Sequence, residues 1–192
     1  MDNYYNNDHI LCNMNEQHNL TPRIEAHDLF RIKYFTTFKP TGYIDNKKLG
    51  EEVMSNPIKI ELSPYHTNFE DFELLLTPGS EAEKLLLWIE HEIAKPRGMQ
   101  VDGYWSHVHL PLESTERHNH NKVCREDAIS FVYYVRTPER CGDLVFVLHD
   151  LLPPAIIRPV AGMLVLFPSY LDHKVTKNLS SSVRISISGN LL

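Results

Sequence analysis

The stretch STERHNHNKVCREDAISFVYYVRTPERCGDLVF, residues 114–146, joins two closely spaced histidines to a strongly β-like run. The run AISFVYYVR is rich in the aromatic and β-branched residues that favour strands. The turn residues of TPERCGD then separate it from a second short run, DLVF. In an extended strand, residues i and i+2 project from the same face, so His118 and His120 can offer two imidazoles to one ion. The stretch therefore predicts a β-rich fold that carries candidate metal ligands.

Short apolar or alternating runs continue through the whole C-terminal half. Turn signals such as LPPA and VAG separate them. Six or seven strands at this spacing indicate a sandwich or barrel rather than βαβ units. The predicted strands lie in QVDGYWSHVHL, AISFVYYVR, DLVFVL, AIIRPV, GMLVLFP, DHKVTK and SVRISISGN.

The N-terminal half has a different character. Residues 1–28 are rich in Asn and Asp and lack periodicity, which predicts a flexible arm. Residues 29–192 are then expected to form one domain, with its β core at about 100–191. HDLFRIKYFTTFKP alternates as one strand would and ends at Pro40.

Two helices are predicted before the β core. IDNKKLGEEVMSN forms a short helix with Asp45 or Asn46 as its cap. GSEAEKLLLWIEHEIAKPRG forms a longer one, which Ser80 caps and which Pro96 and Gly98 end. Its apolar residues form one stripe that should pack on a sheet, namely Leu85, Leu86, Ile89 and Ile93.

The composition excludes several classes of function. The chain of 192 residues has a formal net charge of −6 and no cluster of Lys and Arg, which argues against nucleic-acid binding. No apolar run reaches the roughly 18 residues that a membrane span needs. The N-terminus lacks the basic start and apolar core of a signal peptide. Three cysteines without C-x-x-C spacing fit free thiols in a reducing cytoplasm.

A third histidine and an arginine extend the metal-binding pattern. His173, in LFPSYLDHKV, stands at the start of a predicted strand and can complete a three-ligand site. Arg184 has apolar neighbours in SVRISISGN, so its guanidinium is expected to be buried. Burial of a guanidinium is costly unless a carboxylate or phosphate pairs with it. We therefore expect Arg184 to lie in a cavity with an anionic partner.

The order of these elements resembles that of a known enzyme family. Over roughly residues 101–191, this order is similar to that of the Fe(II)/2-oxoglutarate-dependent dioxygenases. Its elements are an H-x-H pair, a tyrosine-bearing strand, GDLVF, GMLVLFPS followed by a histidine, and RIS. More narrowly, they resemble the prolyl-4-hydroxylase-like branch and the small phage and bacterial subgroup named "putative 2OG-Fe(II) oxygenase". The resemblance implies a mostly β fold with N-terminal helices around a double-stranded β-helix, a jelly-roll or cupin-like barrel.

The resemblance also implies a set of metal ligands. His118 corresponds to the first iron ligand and His173 to the distal one, with His120 between them. The superfamily usually has Asp or Glu at the second position, whereas three neutral imidazoles leave a more positive Fe(II) site. A nearby carboxylate could therefore coordinate in place of His120. The second H-x-H pair, His107 and His109, is an alternative that fits the spacing to the tyrosine strand less well.

Three further residues are expected to bind the cosubstrate. Arg184 and Ser186 match the R-x-S pair that holds the distal carboxylate of 2-oxoglutarate. Tyr134 falls where the prolyl-hydroxylase pattern has a tyrosine beside that carboxylate, although a register shift of one residue would substitute Tyr133. The implied activity uses Fe(II), 2-oxoglutarate and dioxygen to hydroxylate an unknown substrate, with release of succinate and CO2.

Two other functions remain open on the sequence alone. One is a three-histidine metal-binding cupin that does not use 2-oxoglutarate, and the other is a non-catalytic interaction module of the same fold. Arg184 favours the dioxygenase, because a cupin without this cosubstrate has no need of a buried cation there. Substrate specificity is expected to lie in the N-terminal half and in the loop 121–128.

Overall fold

The computed structural model describes residues 25–29, 32–55, 70–74, 76–120, 127–148 and 153–192. Most of the regular structure in these residues is β-strand, which confirms the mostly β fold class. The strands are β1 (Glu25–Leu29), β2 (Ile32–Phe38), β3 (Glu70–Glu73), β4 (Val101–His109), β5 (Thr115–His118), β6 (Ile129–Arg136), β7 (Leu144–Phe146), β8 (Ala155–Ile157), β9 (Met163–Pro168), β10 (His173–Val175) and β11 (Arg184–Leu191).

The strands form two antiparallel sheets that face each other across a cavity. The larger sheet has the order β1-β2-β9-β6-β11-β4-β3, and the smaller one has the order β5-β10-β7-β8. Each of the seven runs predicted after Gly98 contains a strand. Strands β3 and β5 lie outside those runs.

Side chains of the central strands alternate between an outer face, which the helices cover, and an inner face, which lines the cavity. On β11, Ile185 and Ile187 are fully buried in the outer core. Arg184 of the same strand lines the cavity. On β6, Tyr133 belongs to the outer core and Tyr134 to the inner one. The large sheet therefore separates an apolar core from a cavity with polar residues in its wall.

Helix α1 (Asn46–Ser55) packs against β6 and against the second helix. The Asp45 carboxylate accepts hydrogen bonds from two backbone N–H groups of the first turn, at 2.9 and 3.2 Å, so Asp45 is the cap. Asn46 fastens the helix to the sheet instead. Its Oδ1 accepts a hydrogen bond of 2.5 Å from the Tyr133 hydroxyl.

Helix α2 (Glu81–Trp88) continues as a π-helical segment (Ile89–Ala94) and a 3₁₀ turn (Lys95–Arg97). The Ser80 hydroxyl accepts a hydrogen bond of 3.1 Å from a first-turn N–H, which confirms the predicted cap. Gly98 ends the helical segment with a left-handed φ of 69°. The predicted apolar stripe is buried in the outer core, and consists of Leu85, Leu86, Ile89 and Ile93.

The prediction of one strand in HDLFRIKYFTTFKP is wrong. The segment contributes to two antiparallel strands, β1 and β2, so the chain reverses between Leu29 and Ile32. No Gly, Pro or Asn marks the reversal, and both strands share one alternating pattern. β1 begins at Glu25, inside the segment predicted as an arm, and the predicted domain boundaries stay a prediction. Residues 1–24 lie outside the described residues, as does most of the loop 121–128.

None of the described helices combines the length and the apolar character that a membrane crossing requires.

Candidate metal centre

Three histidines converge at the edge of the small sheet. His118 ends β5, and it pairs across the sheet with His173, which begins β10. His120 lies two residues beyond the end of β5, where its N–H donates to the Ser169 carbonyl at 2.8 Å. The ligand nitrogens of the three rings lie within 4.8 Å of one another. A bend after β5, rather than a continued extended strand, brings the His120 imidazole into the group.

Hydrogen bonds leave two of these imidazoles ready to bind a cation. Nδ1 of His118 lies 2.8 Å from the Glu116 carbonyl, and Nδ1 of His173 lies 2.8 Å from the Leu171 carbonyl. A carbonyl only accepts, so each Nδ1 carries the proton and each Nε2 keeps a lone pair. Burial, reinforced by the neighbouring His118 and His120, lowers the pKa of His173 well below its ordinary value. A neutral imidazole is the form that ligates a metal.

A carboxylate close to the cluster, that of Asp172, is a candidate to replace His120 as a ligand. Asp172 immediately precedes His173, but its carboxylate accepts hydrogen bonds from Arg117 Nε at 2.8 Å and from Asn119 Nδ2 at 2.6 Å. In the part of the chain that is described, the potential metal-binding cluster contains the three histidines and no carboxylate. These residues therefore offer a ligand set of three imidazoles.

The alternative histidine pair lies on β4, along the same cavity. Trp105 Nε1 donates to His107 Nε2 at 2.7 Å. His109 Nε2 lies 2.8 Å from the Thr115 hydroxyl. Neither histidine joins the cluster of three. The side chains of His107 and His109 line the cavity instead.

A cavity of about 640 Å³ extends from the histidine cluster between the two sheets, and Arg184 lies at one end of it. Arg184 is only 1% exposed, and it pairs in register with His109 of β4. Among the described residues, the Nε and Nη1 of Arg184 and the Tyr134 hydroxyl have no hydrogen-bond partner. The guanidinium carbon lies 5.3 Å from the centre of the Tyr134 ring. Ser186 faces Tyr134 across β11 and β6 and also lines the cavity.

The electrostatics at the Arg184 end of the cavity favour an anion. Burial raises the pKa of Tyr134 to about 12, although the Arg184 guanidinium opposes the rise, so the hydroxyl stays protonated. Burial, with Arg184 and His107 adding to it, lowers the pKa of His109 to about 2, so this imidazole stays neutral. Arg184 thus provides a buried positive charge, with unpaired donors and a neutral phenol beside it. A carboxylate fits this donor set.

The opposite end of the cavity carries polar residues that the sequence analysis did not single out. The Ser130 hydroxyl lies 2.9 Å from Asn190 Oδ1 and 2.9 Å from the Ser169 hydroxyl. All three side chains are buried. Only Asn190 had a signal in the sequence, namely the polar alternation of RISISGN, in which every second residue after Arg184 is polar.

The sequence and the fold both match known proteins. Residues 149–190 match the family model described as "Putative 2OG-Fe(II) oxygenase". The matched segment contains His173, Arg184 and Ser186, and it begins after His118 and His120. No curated protein matches the sequence.

Three solved structures illustrate the likeness of fold. An oxidoreductase of the 2OG-Fe(II) oxygenase family from Burkholderia pseudomallei has a TM-score of 0.60 and 14% identity, covering 81% of this chain and 83% of its own. A prolyl-4-hydroxylase from Pseudomonas putida has a TM-score of 0.56 and 18% identity, with coverages of 76% and 81%. The viral collagen prolyl hydroxylase of Paramecium Bursaria Chlorella virus-1, solved as a 2OG complex, has a TM-score of 0.55 and 14% identity, with coverages of 82% and 94%.

Fold and site together define a double-stranded β-helix protein with a three-histidine cluster suited to a metal ion. The family match over residues 149–190 and the fold agree with the resemblance to the 2OG-Fe(II) oxygenases found in the sequence. The family implies Fe(II) and 2-oxoglutarate as cofactors, with dioxygen as a further cosubstrate.

Proposed function

We propose that this protein is an Fe(II)- and 2-oxoglutarate-dependent hydroxylase that releases succinate and CO2. One observation carries the proposal. Arg184, a buried arginine whose Nε and Nη1 have no partner among the described residues, shares a single cavity with a cluster of three imidazoles. A metal-binding barrel that did not take a carboxylate ligand would gain nothing from a buried cation at this place.

In this proposal His118, His120 and His173 hold the iron. The carbonyl acceptors on Nδ1 of His118 and His173 fix the ring orientation, so that both Nε2 atoms face the ion. Three protein ligands leave further coordination positions free for small molecules.

Arg184, Ser186 and Tyr134 hold the distal carboxylate of 2-oxoglutarate. Arg184 supplies charge-assisted hydrogen bonds, and Tyr134 donates from a hydroxyl that has no partner among the described residues. Ser186 lies between them in the β-sheet register. Because all three side chains are almost fully buried, the carboxylate would be bound away from water, where these bonds are strongest.

When bound, Fe(II) and 2-oxoglutarate supply the oxidative chemistry that amino-acid side chains lack. The chain's own contribution is to orient both groups and to exclude water. Phe167, in the cavity wall, packs edge-on against His173 with ring centres 4.8 Å apart. Contacts of this kind limit the motion of a ligand ring and keep the cluster dry on that side.

Anaerobic calorimetry with the metal-loaded protein tests the proposal. Titration with 2-oxoglutarate should show one site, and Arg184→Met should weaken its binding by about 100-fold or more, because two charge-assisted hydrogen bonds are lost. Arg136→Met is the matched control. Arg136 is also a strand arginine, but it is exposed and lies outside the cavity, so its removal should leave the affinity unchanged.

The outcomes separate the rival functions. Affinity for 2-oxoglutarate that survives in Arg184→Met would refute the role of Arg184, and absence of 2-oxoglutarate binding in wild type would favour a three-histidine cupin that does not use this cosubstrate. Succinate release with Fe(II), ascorbate and oxygen, measured without added substrate, tests for catalysis. Silence in that assay despite tight binding of 2-oxoglutarate would favour a non-catalytic module.

A further inference from the structure

A chain of buried hydrogen bonds leads from the histidine cluster to the end of the cavity remote from Arg184. The His120 N–H donates to the Ser169 carbonyl at 2.8 Å. The Ser169 hydroxyl lies 2.9 Å from that of Ser130, which in turn lies 2.9 Å from Asn190 Oδ1. Ser130 and Ser169 are each 1% exposed, and Asn190 is 6% exposed. Burial of polar side chains is costly unless they are hydrogen-bonded, and these three are bonded to one another.

The chain of bonds fixes how the Asn190 amide is presented. The Ser130 hydroxyl donates to Oδ1 of Asn190. The two N–H bonds of Nδ2 are then left without a partner in the described residues. Asn190 and Ser130 both line the cavity, whereas Ser169 supports them from behind. The amide thus offers hydrogen-bond donors at the cavity wall, and the two serines hold it in place.

Asn190 and Arg184 lie near opposite ends of strand β11. The two residues are six positions apart on β11, which is about 20 Å along a strand. A five-carbon dicarboxylate spans only about 7 Å, given C–C bonds of about 1.5 Å. A cosubstrate held at Arg184 would leave the Asn190 end of the cavity for a second molecule.

The charge at the Asn190 end of the cavity disfavours an anion. Asp102 of β4 pairs in register with Asn190 and lines the cavity beside it. Arg117, at the rim, has its charge balanced by Asp172 at 2.8 Å. A carboxylate placed at Asn190 would meet Asp102 and lose its hydration without a counter-charge. An uncharged acceptor such as an amide carbonyl avoids both costs.

An aromatic surface lies between this end and the cluster. The Trp105 ring stacks on His120 with centroids 5.7 Å apart, and it also lines the cavity. Trp105 pairs in register with Ser188, one inward-facing position before Asn190 on β11. A molecule bonded to Asn190 would therefore lay its carbon skeleton on Trp105 and reach the cluster from the His120 side.

We propose that Asn190 is a substrate-binding residue, and that the primary substrate presents an uncharged carbonyl, as in a carboxamide or peptide group, to its Nδ2. Trp105 packs against the adjoining carbon skeleton. The inference rests on the proposed function, which assigns the Arg184 end to 2-oxoglutarate and the cluster to the metal.

The test uses three probes of one shape and different charge, namely benzamide, benzoate and benzylamine. Zn(II)-loaded protein with saturating 2-oxoglutarate keeps the Arg184 end filled and prevents turnover. Ligand-observed NMR should show benzamide binding at least about tenfold more tightly than either charged probe, as expected for one buried hydrogen bond. Asn190→Leu should lower the benzamide affinity about tenfold and remove the preference.

Two further variants keep the inference falsifiable if Asn190→Leu fails to fold. Asn190→Asp preserves the side-chain shape but removes the donors, so the preference should pass from benzamide to benzylamine. Ser188→Ala is the matched control, since Ser188 lies on the same face of β11 and in the cavity wall but outside the hydrogen-bond chain. It should leave the preference for benzamide intact.

The inference is overturned if a charged probe binds wild type as tightly as benzamide, if no probe binds, or if Asn190→Leu keeps the preference. A titration with 2-oxoglutarate alone separates this result from the proposed function. Asn190→Leu should bind 2-oxoglutarate like wild type. Absence of 2-oxoglutarate binding in wild type would refute the proposed function, while a benzamide affinity that depends on Asn190 would still support the substrate subsite.

Discussion

The two faces of strand β11 differ in role: the outer face packs in the apolar core, and the inner face lines the cavity. On the outer face, Ile185 and Ile187 are fully buried against the helices and the neighbouring strands. On the inner face, Arg184 and Asn190 are almost as deeply buried but keep donors without partners in the described residues. The two faces are therefore similarly buried, but only the inner face has polar donors without hydrogen-bond partners among the described residues.

This difference explains why an unfavourable inner face can persist. Packed apolar groups stabilise the fold in the absence of any ligand. Unpaired buried donors destabilise it until a ligand accepts their hydrogen bonds. The stability that apolar packing on the outer face provides therefore offsets the cost of the unpaired donors on the inner face. The following predictions test that division.

The largest expected effect is loss of stability in Ile187→Ala. Truncation of a fully buried isoleucine leaves a cavity in the outer core and should lower the free energy of unfolding by about 2–5 kcal/mol. Denaturant titration measures the change. Ile156→Ala is the control, because Ile156 is a strand isoleucine that is 59% exposed, and its loss should cost under about 0.5 kcal/mol. Equal costs at both positions would refute the division between the faces.

Arg184→Met should have the opposite effect on the ligand-free protein. The substitution removes a buried cation whose Nε and Nη1 lack partners in the described part of the chain, so the free energy of unfolding should stay the same or rise by up to about 2 kcal/mol. Thermal unfolding should also stop responding to 2-oxoglutarate, which stabilises wild type by mass action. A fall in stability of more than about 1 kcal/mol would show that the guanidinium is already paired in the free protein.

Periodicity and turn chemistry predicted most of the fold, because they are local. The strand runs after Gly98 and the cap at Ser80 were read from spacing and residue type, and the structure confirms them. The reversal between β1 and β2 was missed because no turn residue marks it. Strand order within the sheets depends on contacts between distant segments, and a single sequence carries no direct signal of these.

The candidate site was predicted only in part, because part of it depends on contacts between distant segments. The family order pointed to His118, His173 and Arg184, and the structure places all three beside one cavity. Their roles as ligands stay a prediction. The hydrogen-bond chain that ends at Asn190 could not be predicted, since it joins residues from three separate segments. The bend that brings in His120 was also beyond periodicity, which assumes a regular strand.

The helices that cover the outer face depend on a buried carboxylate. Glu81 accepts hydrogen bonds from Lys84 Nζ at 2.7 Å and from the Asp45 N–H at 2.8 Å. The Lys84 hydrogen bond is the main cause that lowers its pKa below the ordinary 4.5, with burial opposing it. A carboxyl whose folded pKa is lowered stabilises the fold above its unfolded pKa, and that stability is lost as pH falls through the folded pKa.

Glu81→Gln should therefore lower the free energy of unfolding by about 1–2 kcal/mol at pH 7. The difference from wild type should shrink once the pH falls below 4.5, as the wild-type carboxyl becomes protonated too. Denaturant titrations from pH 7 to pH 3 measure this. Glu51→Gln, at an exposed site on α1, should show no such dependence. A constant difference across the range would mean that ionisation of Glu81 does not account for the loss of stability.

The smallest effects should come from two neighbouring tyrosines of β6, which repeat the contrast between the faces at adjacent positions. Tyr133 points outward, and its hydroxyl bonds to Asn46, so Tyr133→Phe should cost about 1 kcal/mol of stability. Tyr134 points inward, and its hydroxyl has no partner among the described residues, so Tyr134→Phe should cost less than about 0.5 kcal/mol.

Binding of 2-oxoglutarate should show the reverse order. Tyr134→Phe should weaken it by up to about tenfold, since one neutral hydrogen bond to the carboxylate is lost, and Tyr133→Phe should leave it unchanged. Calorimetry and denaturant titration on the same two variants measure the change in 2-oxoglutarate affinity and the change in stability for each. If both substitutions changed stability and left 2-oxoglutarate binding alone, the Tyr134 hydroxyl would have no part in the cosubstrate site, because a donor held for a ligand must show its effect when the ligand binds.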